Sequence, residues 1–348
     1  MEYRYLGNTG LKVSVISFGN WLNSNDPSWT QRTIELVKKA HSLGINFFDT
    51  AEVYGHGEAE KQMGQAIKEL NVAREDLVIS TKIFWDNRDN KLNRVGLSRK
   101  HIMEGVNNSL KKLQLDYVDI VFCHRFDKYT PLEETCKAFH DIVTAGKAHY
   151  WGTSEWTAAQ IFEAFMICER FNFTKPVVEQ PQYNMIFREK FEKEYGRLFD
   201  IYKYGSTVWS PLLGGILTGK YNDGIKPDEQ SRLTTFTDIA AIQSQLKTYF
   251  GEENKEKYTH MLKGLAEIAK EIGCTQAQLA MAWVIKNKDV SSAITGASRP
   301  EQLEDIVGSV NFISKITPEI EARINTLTGK RPDGEMDFRL FSSLEPRR

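Results

Sequence analysis

No apolar run in these 348 residues approaches the ~20 that a bilayer-spanning helix requires, and the N-terminal MEYRYLGNTG lacks the apolar core of a signal peptide. The expectation is a cytosolic protein without direct membrane insertion. Cysteine is sparse: Cys123, Cys136, Cys168 and Cys274 stand far apart with no C-x-x-C pair, which argues for small buried residues in a reducing compartment rather than a disulfide or zinc framework. The seven histidines form neither H-x-H nor H-E-x-x-H, so no metal is expected. Neither sign of charge prevails: 45 Lys and Arg face 46 Asp and Glu, and a formal net charge of −1 offers nucleic acid no electrostatic footprint.

With 41% hydrophobic and 26% charged residues, the chain can bury a large core. Short runs rich in Val, Ile and Phe alternate with amphipathic segments. VISFG precedes 30–43, INFFDT precedes 60–70, DLVIST precedes 98–113 and YVDIVFC precedes 132–145. AHYWGTS, PVVEQ, STVWS and SSAIT continue the alternation, with helices expected over 158–171, 190–204, near 259–272 and over 300–307. In the third unit Ile102, Val106, Leu110 and Leu113 keep a helical period behind an N-capping Ser98. Eight such units, with strands apolar on both faces, predict an α/β fold of the (β/α)8 TIM-barrel type; an open doubly wound sheet is the runner-up. Around Asn8-Thr9-Gly10 the alternation predicts a hairpin that could plug the barrel bottom. A long loop is expected after the seventh strand, from Leu212 to Tyr258, and an extra helix from Thr275 to Lys286 opens with the capping box Thr275-x-x-Gln278. Residues 1–328 read as one domain, and 329–348 as a polar tail.

Barrels place their chemistry where strands end. The second strand stops at Asp49, the third at Lys82 and the fourth at His124, with Tyr54 in the loop after the second. Singly, these could be a helix cap, a solvated lysine, a core histidine and ordinary packing. Jointly they deliver a carboxylate, an ammonium, an imidazole and a phenol to one rim, as a catalytic site requires. Asp49 would keep Lys82 protonated, and the ammonium would lower the Tyr54 pKa towards a value useful in general acid catalysis. Tyr54 could then protonate a carbonyl oxygen that His124 orients. A Schiff-base role for Lys82 competes, but it leaves Tyr54 unused.

FDTAEVYG (48–55), STKIFW (80–85), YVDIVFCHR (117–125), YWGTSEW (150–156) and ITGASRPEQL (294–303) together resemble the aldo-keto reductases, nearly throughout the chain. The run GLSRKHIMEGVNNSLKKLQLDYVD and the block WSPLLGGILTGKY are most similar to the branch containing the potassium-channel β subunits. The resemblance implies an NADP(H)-dependent carbonyl reductase with Asp49, Tyr54, Lys82 and His124 as catalytic tetrad. It implies a nicotinamide placed against Trp209 with its amide held by Ser154 and Gln180, near Asn20, Trp21 and Asp49. Trp21 and Trp85 would line the substrate side.

Gly214 to Lys220 reads G-x-x-x-x-G-K, but Tyr221 stands where a phosphate-binding P-loop needs Ser or Thr. The resemblance accounts for it differently: Ser210, Pro211, Leu212, Gly214 and Lys220 would wrap the cofactor's pyrophosphate. Gly296, Ser298, Gln302, Asp305 and Arg232 would hold the adenosine end, including its 2′-phosphate. Ser298 reads as the N-cap of the last helix, ahead of Pro300 and Glu301.

The chain departs from the branch at four positions. His124 stands where channel β subunits carry Asn, Glu155 where Asn or Arg follows the serine, Asn20 where Thr precedes the tryptophan, and Ile306 where Asn follows Asp305. Two functions follow. One is a cytosolic reductase of small aldehydes or ketones. The other is an auxiliary subunit, homo-tetrameric and docked on a potassium-channel α subunit, which would make it peripheral at a membrane. The short stretch ahead of the hairpin makes pore block from this terminus an unlikely expectation.

Overall fold

The computed structural model describes residues 1–22, 26, 28–86, 92–226, 231–237 and 239–333. A short hairpin, β1 (Tyr3–Tyr5) and β2 (Lys12–Ser14), precedes eight strands: β3 (Ile16–Gly19), β4 (Phe47–Asp49), β5 (Val78–Ile83), β6 (Val118–Cys123), β7 (Ala148–Ser154), β8 (Val178–Gln180), β9 (Gly205–Trp209) and β10 (Ser292–Thr295). These eight pair in parallel, in sequence order, and β10 closes on β3 to complete the barrel. The doubly wound alternative falls here, because an open sheet would leave β3 and β10 as edges.

The hairpin seals the bottom. Leu6 and Val13 are fully buried and join Phe47, Val78 and Val178, the first residues of β4, β5 and β8, in one apolar cluster. Gly7, at φ +58°, lies so close to β9 that a Cβ would stand 2.3 Å from the Gly205 amide. The bottom is thereby committed to packing, and the opposite rim carries the polar groups.

Around the barrel run α1 (Ser28–Ser42), α2 (Glu58–Leu70), α3 (Arg99–Leu113), α4 (Leu132–Thr144), α5 (Ala158–Phe171) and α6 (Gly196–Asp200). Ser98 caps α3 as expected, accepting from the His101 amide at 3.3 Å. The segment expected as one helix over 190–204 is broken into a π turn, Lys190–Glu194, and the short α6.

The stretch after β9 holds more structure than a loop. It contains a 3-10 segment, Leu213–Thr218, then α7 (Arg232–Thr235) and α8 (Ala240–Phe250), before α9 (Lys255–Ile272). The sequence reading passed over α8, although Ile242, Leu246, Tyr249 and Phe250 keep a helical period along it and pack into the core. α10 (Gln276–Lys286) opens on the expected Thr275–Gln278 capping box. Arg299 rather than Ser298 holds the N-cap position of α11 (Pro300–Val307), extended and without a side-chain cap hydrogen bond, because Pro300 takes the first helical position. α12 (Pro318–Thr328) packs last, and residues 334–348 of the expected tail lie outside the described residues.

Candidate active site

Parallel strands of one barrel end at the same rim, so consecutive strand ends become neighbours. β4 closes on Asp49, Lys82 sits one residue before the end of β5, and His124 follows β6 directly. The register sets Asp49 beside Ser80 and Lys82 beside Phe122. Lys82 Nζ donates to Asp49 Oδ2 at 2.5 Å and to the Thr50 carbonyl at 2.7 Å, and Ser80 Oγ donates to Asp49 Oδ1 at 2.6 Å. Lys82 is fully buried and Asp49 nearly so. Two charges so far from water persist only with such bonding on both sides. Ser80 and the Thr50 carbonyl are partners the sequence reading did not name; the alternation along β5, which turns Ser80 and Lys82 to the same face, could have found Ser80.

Tyr54 opens the short turn Tyr54–Gly57, in which Gly55 and His56 are left-handed, and the Lys82 ammonium stands 4.8 Å from its ring centroid. The Tyr54 and His124 rings are 5.8 Å apart, and Trp85 packs edge-on to His124 at 5.0 Å. All four sequence-predicted tetrad residues therefore meet, with one of the two expected substrate-side tryptophans against them.

The electrostatics differ from the expectation at one point. Burial works to lower the Lys82 pKa, but Asp49 and then Tyr54 outweigh it, and the ammonium is held above its ordinary value. His124 is driven well below the usual range by burial, then by Lys82 and Arg125, so its imidazole is neutral. Tyr54 was expected to be lowered; burial instead raises it, with Lys82 pulling against the rise. Desolvation of a phenolate exceeds the attraction of one ammonium already shared with Asp49. The group is a phenol with its proton on.

Around the rim, Ser154 ends β7 and donates to the Gln180 carbonyl at 2.9 Å, while the Gln180 amide reaches Asp49 Oδ1 at 3.2 Å. Trp209 ends β9, and its indole donates to Glu155 Oε1 at 2.9 Å. Glu155 also receives the Gln182 amide at 2.6 Å and pairs with Lys190 at 2.9 Å. The unusual glutamate thus fixes the Trp209 ring from a left-handed backbone, φ +58°. Its role was invisible in sequence because its partners come from 27 and 54 residues away.

After β9 the backbone turns left-handed at Ser210, Leu213, Gly214, Gly215 and Gly219. Gly214 approaches α8 so closely that a Cβ would stand 2.7 Å from Gln245 Oε1. Ser210 Oγ accepts from the Gly214 amide at 3.1 Å, Pro211 is buried, Leu212 is half-buried, and Lys220 is exposed without an ion pair among the described residues. The Arg232 guanidinium lies 4.5 Å from the Trp21 ring, and burial lowers its pKa to about 10. At the β10 end, Ser298 donates through N and Oγ to Gln302 Oε1, at 2.8 and 3.1 Å, beside an exposed Gly296. No hydrogen bond joins that pair to Arg232 among the described residues. Asp305 accepts from Thr275 Oγ1 at 3.1 Å, which helps secure the α10 cap, and Ile306 packs into the core.

Several buried polar atoms have no hydrogen-bond partner among the described residues: Asn20 Oδ1, His124 Nδ1, Arg232 Nε and Gln245 Oε1. The Asn20 amide is anchored on the Ala59 carbonyl at 2.8 Å, which leaves its oxygen over. Such atoms also occur away from the rim, at Arg74 and Ser109, so each calls for its own explanation.

A closed parallel barrel with a buried Lys–Asp pair, a phenol and a neutral imidazole at its C-terminal rim defines a class of α/β barrel, and this chain belongs to the Aldo/keto reductase family, whose model matches residues 15–327. Its relatives narrow the branch. A Schizosaccharomyces pombe protein provisionally named as a voltage-gated potassium channel β subunit is 48% identical over 334 residues, or 95% of this chain and 94% of that protein. Arabidopsis thaliana and Oryza sativa proteins with similarly provisional channel β-subunit names are 44% and 41% identical, each spanning 97% of this chain and 100% of the relative. No helix among the described residues is long and apolar enough to cross a membrane.

Proposed function

We propose that this chain is an NADPH-dependent reductase of aldehydes and ketones in which Tyr54 is the proton donor. The observation that carries the reading is the Tyr54 phenol, its pKa raised by burial and its ring centroid 4.8 Å from the Lys82 ammonium that Asp49 holds, beside a His124 lowered well below its usual range. Tyr54 O–H donates to the substrate's carbonyl oxygen and gives up its proton as that oxygen gains charge. Lys82 stabilises the tyrosinate that remains, and Asp49 keeps Lys82 charged throughout. His124, being neutral, can donate one hydrogen bond to the same oxygen and hold its orientation without competing for the proton. Trp21 and Trp85 wall the substrate side.

The residues fit NADP(H). The left-handed run from Ser210 to Gly219, with Pro211, Leu212 and Lys220, offers backbone and charge to a pyrophosphate. Trp209 presents a ring fixed by Glu155, with Ser154, Gln180, Asn20 and Asp49 near it. The adenosine end falls to Arg232, Ser298, Gln302, Gly296 and Asp305. When bound, NADPH supplies the hydride. In this reading residues 1–328 are one catalytic domain in the cytoplasm. Steady-state NADPH oxidation against a panel of aldehydes, ketones and quinones tests it, and tight NADPH binding with no turnover of any member would defeat it.

The relatives' names favour a second reading: a redox-sensing β subunit, homo-tetrameric and docked on a potassium-channel α subunit, with slow or vestigial reduction. His124→Asn discriminates. As a reductase the variant loses turnover more than NADPH binding. As a docked sensor it still co-purifies with a co-expressed channel α subunit.

A further inference from the structure

Arg125 follows His124 at the rim, and neither the tetrad nor the cofactor assignment uses it. Its Nη1 donates to the His124 carbonyl at 2.5 Å and to Ser154 Oγ at 3.2 Å, and its guanidinium lies 5.7 Å from the centroid of Trp85, the substrate-side ring. Its charge is felt at both Tyr54 and His124. The side chain is half-buried, yet no carboxylate pairs with it among the described residues.

The rim's carboxylates are already committed. Asp49 is taken by Lys82 and Ser80, and Glu155 by Lys190, Trp209 and the Gln182 amide. Both hydrogen bonds of Arg125 leave from Nη1, and neither Nε nor Nη2 is among the buried unpartnered atoms, so that edge of the fork stays open to solvent. With no carboxylate partner among the described residues and one edge open, its planar fork matches a carboxylate in two-point contact. A neutral substrate would leave that charge uncompensated.

We propose that Arg125 anchors the anionic end of the substrate, so that the preferred substrates are aldehydes and ketones carrying a carboxylate. The proposal rests on the carbonyl-reductase reading above. The test compares 4-carboxybenzaldehyde with its neutral methyl ester, methyl 4-formylbenzoate, which is the more electrophilic aldehyde of the two. Wild-type kcat/KM should favour the carboxylate by roughly tenfold or more, as a charge-assisted contact gives. Arg125→Met should erase that ratio, chiefly through KM, and Arg125→Lys should keep part of it. A wild-type ratio of one or below overturns the proposal. So does an equal loss on both aldehydes in Arg125→Met, which would make Arg125 a positioning group for Ser154 and His124. If neither aldehyde turns over, the reductase reading fails separately. Calorimetric titration of benzoate against methyl benzoate then decides: benzoate-selective binding lost in Arg125→Met upholds the anion site, and binding unchanged by the substitution overturns it.

Discussion

Two regions of this rim are built on opposite terms. The tetrad side, at the ends of β4, β5 and β6, is set by strand register, and its Lys82–Asp49 pair is hydrogen-bonded on both sides. The described parts of the stretch between Ser210 and Phe250 are held by backbone turns, left-handed residues and short helices, and among the described residues Arg232 Nε and Gln245 Oε1 have no partner. Chemistry that must keep its geometry through each turnover is built on strands, where pairing over-determines position. A binding surface that must close on a large molecule is built on loops, whose polar groups finish their bonding on the guest.

The largest effect expected is on the strand side. Tyr54→Phe should slow single-turnover reduction by roughly 10²–10⁴-fold while the NADPH Kd stays nearly constant, since the proposed cofactor contacts come from other loops. Near-normal single-turnover rates would remove Tyr54 from the mechanism. Lys82→Met should reach further, because it strands Asp49 in the core. Loss of one partner of a buried pair costs about 3–5 kcal/mol, seen as a lower unfolding midpoint, and adding Asp49→Asn should recover part of it. Any remaining activity should be governed by a higher pKa, because the largest charge offsetting the burial of the tyrosinate is then gone. An unchanged pH profile would contradict the role given to Lys82.

On the loop side, Arg232→Ala should weaken NADPH by about 1.5–3 kcal/mol and NADH far less, by direct titration. Burial lowers the Arg232 pKa only to about 10, so the charge is intact at neutral pH. Equal losses for both cofactors would detach Arg232 from the 2′-phosphate. They would suit a residue whose main contact is Trp21.

A further effect concerns the framework beneath both regions. Glu179, on β8, is fully buried, and burial raises its pKa to about 8 despite a hydrogen bond from Thr153, with Glu155 adding to the rise. The folded value lies above an unfolded carboxylate's ~4.3. Its favourable contribution is therefore complete below that lower value and is lost as pH rises towards 8. The melting temperature of the wild type relative to Glu179→Gln should fall between about pH 5 and 8. A difference independent of pH would mean that Glu179 is ionised in the fold.

What the sequence determined by itself was periodic and local. Two-faced apolar strands alternating with amphipathic helices can bury themselves only as a covered parallel sheet, so the barrel, the helices Ala158–Phe171 and Pro300–Val307, the caps at Ser98 and Thr275, and the strand-end residues Asp49, Lys82 and His124 were legible. Tertiary structure alone decided whatever depends on partners distant in the chain or on the balance of burial against charge. Arg299 rather than Ser298 took the N-cap position of α11, and Glu155 became the fixing point of Trp209. Tyr54 was raised rather than lowered for the same reason: its neighbours' charges can be read in a sequence, but the water excluded around a phenol is a property of the folded rim.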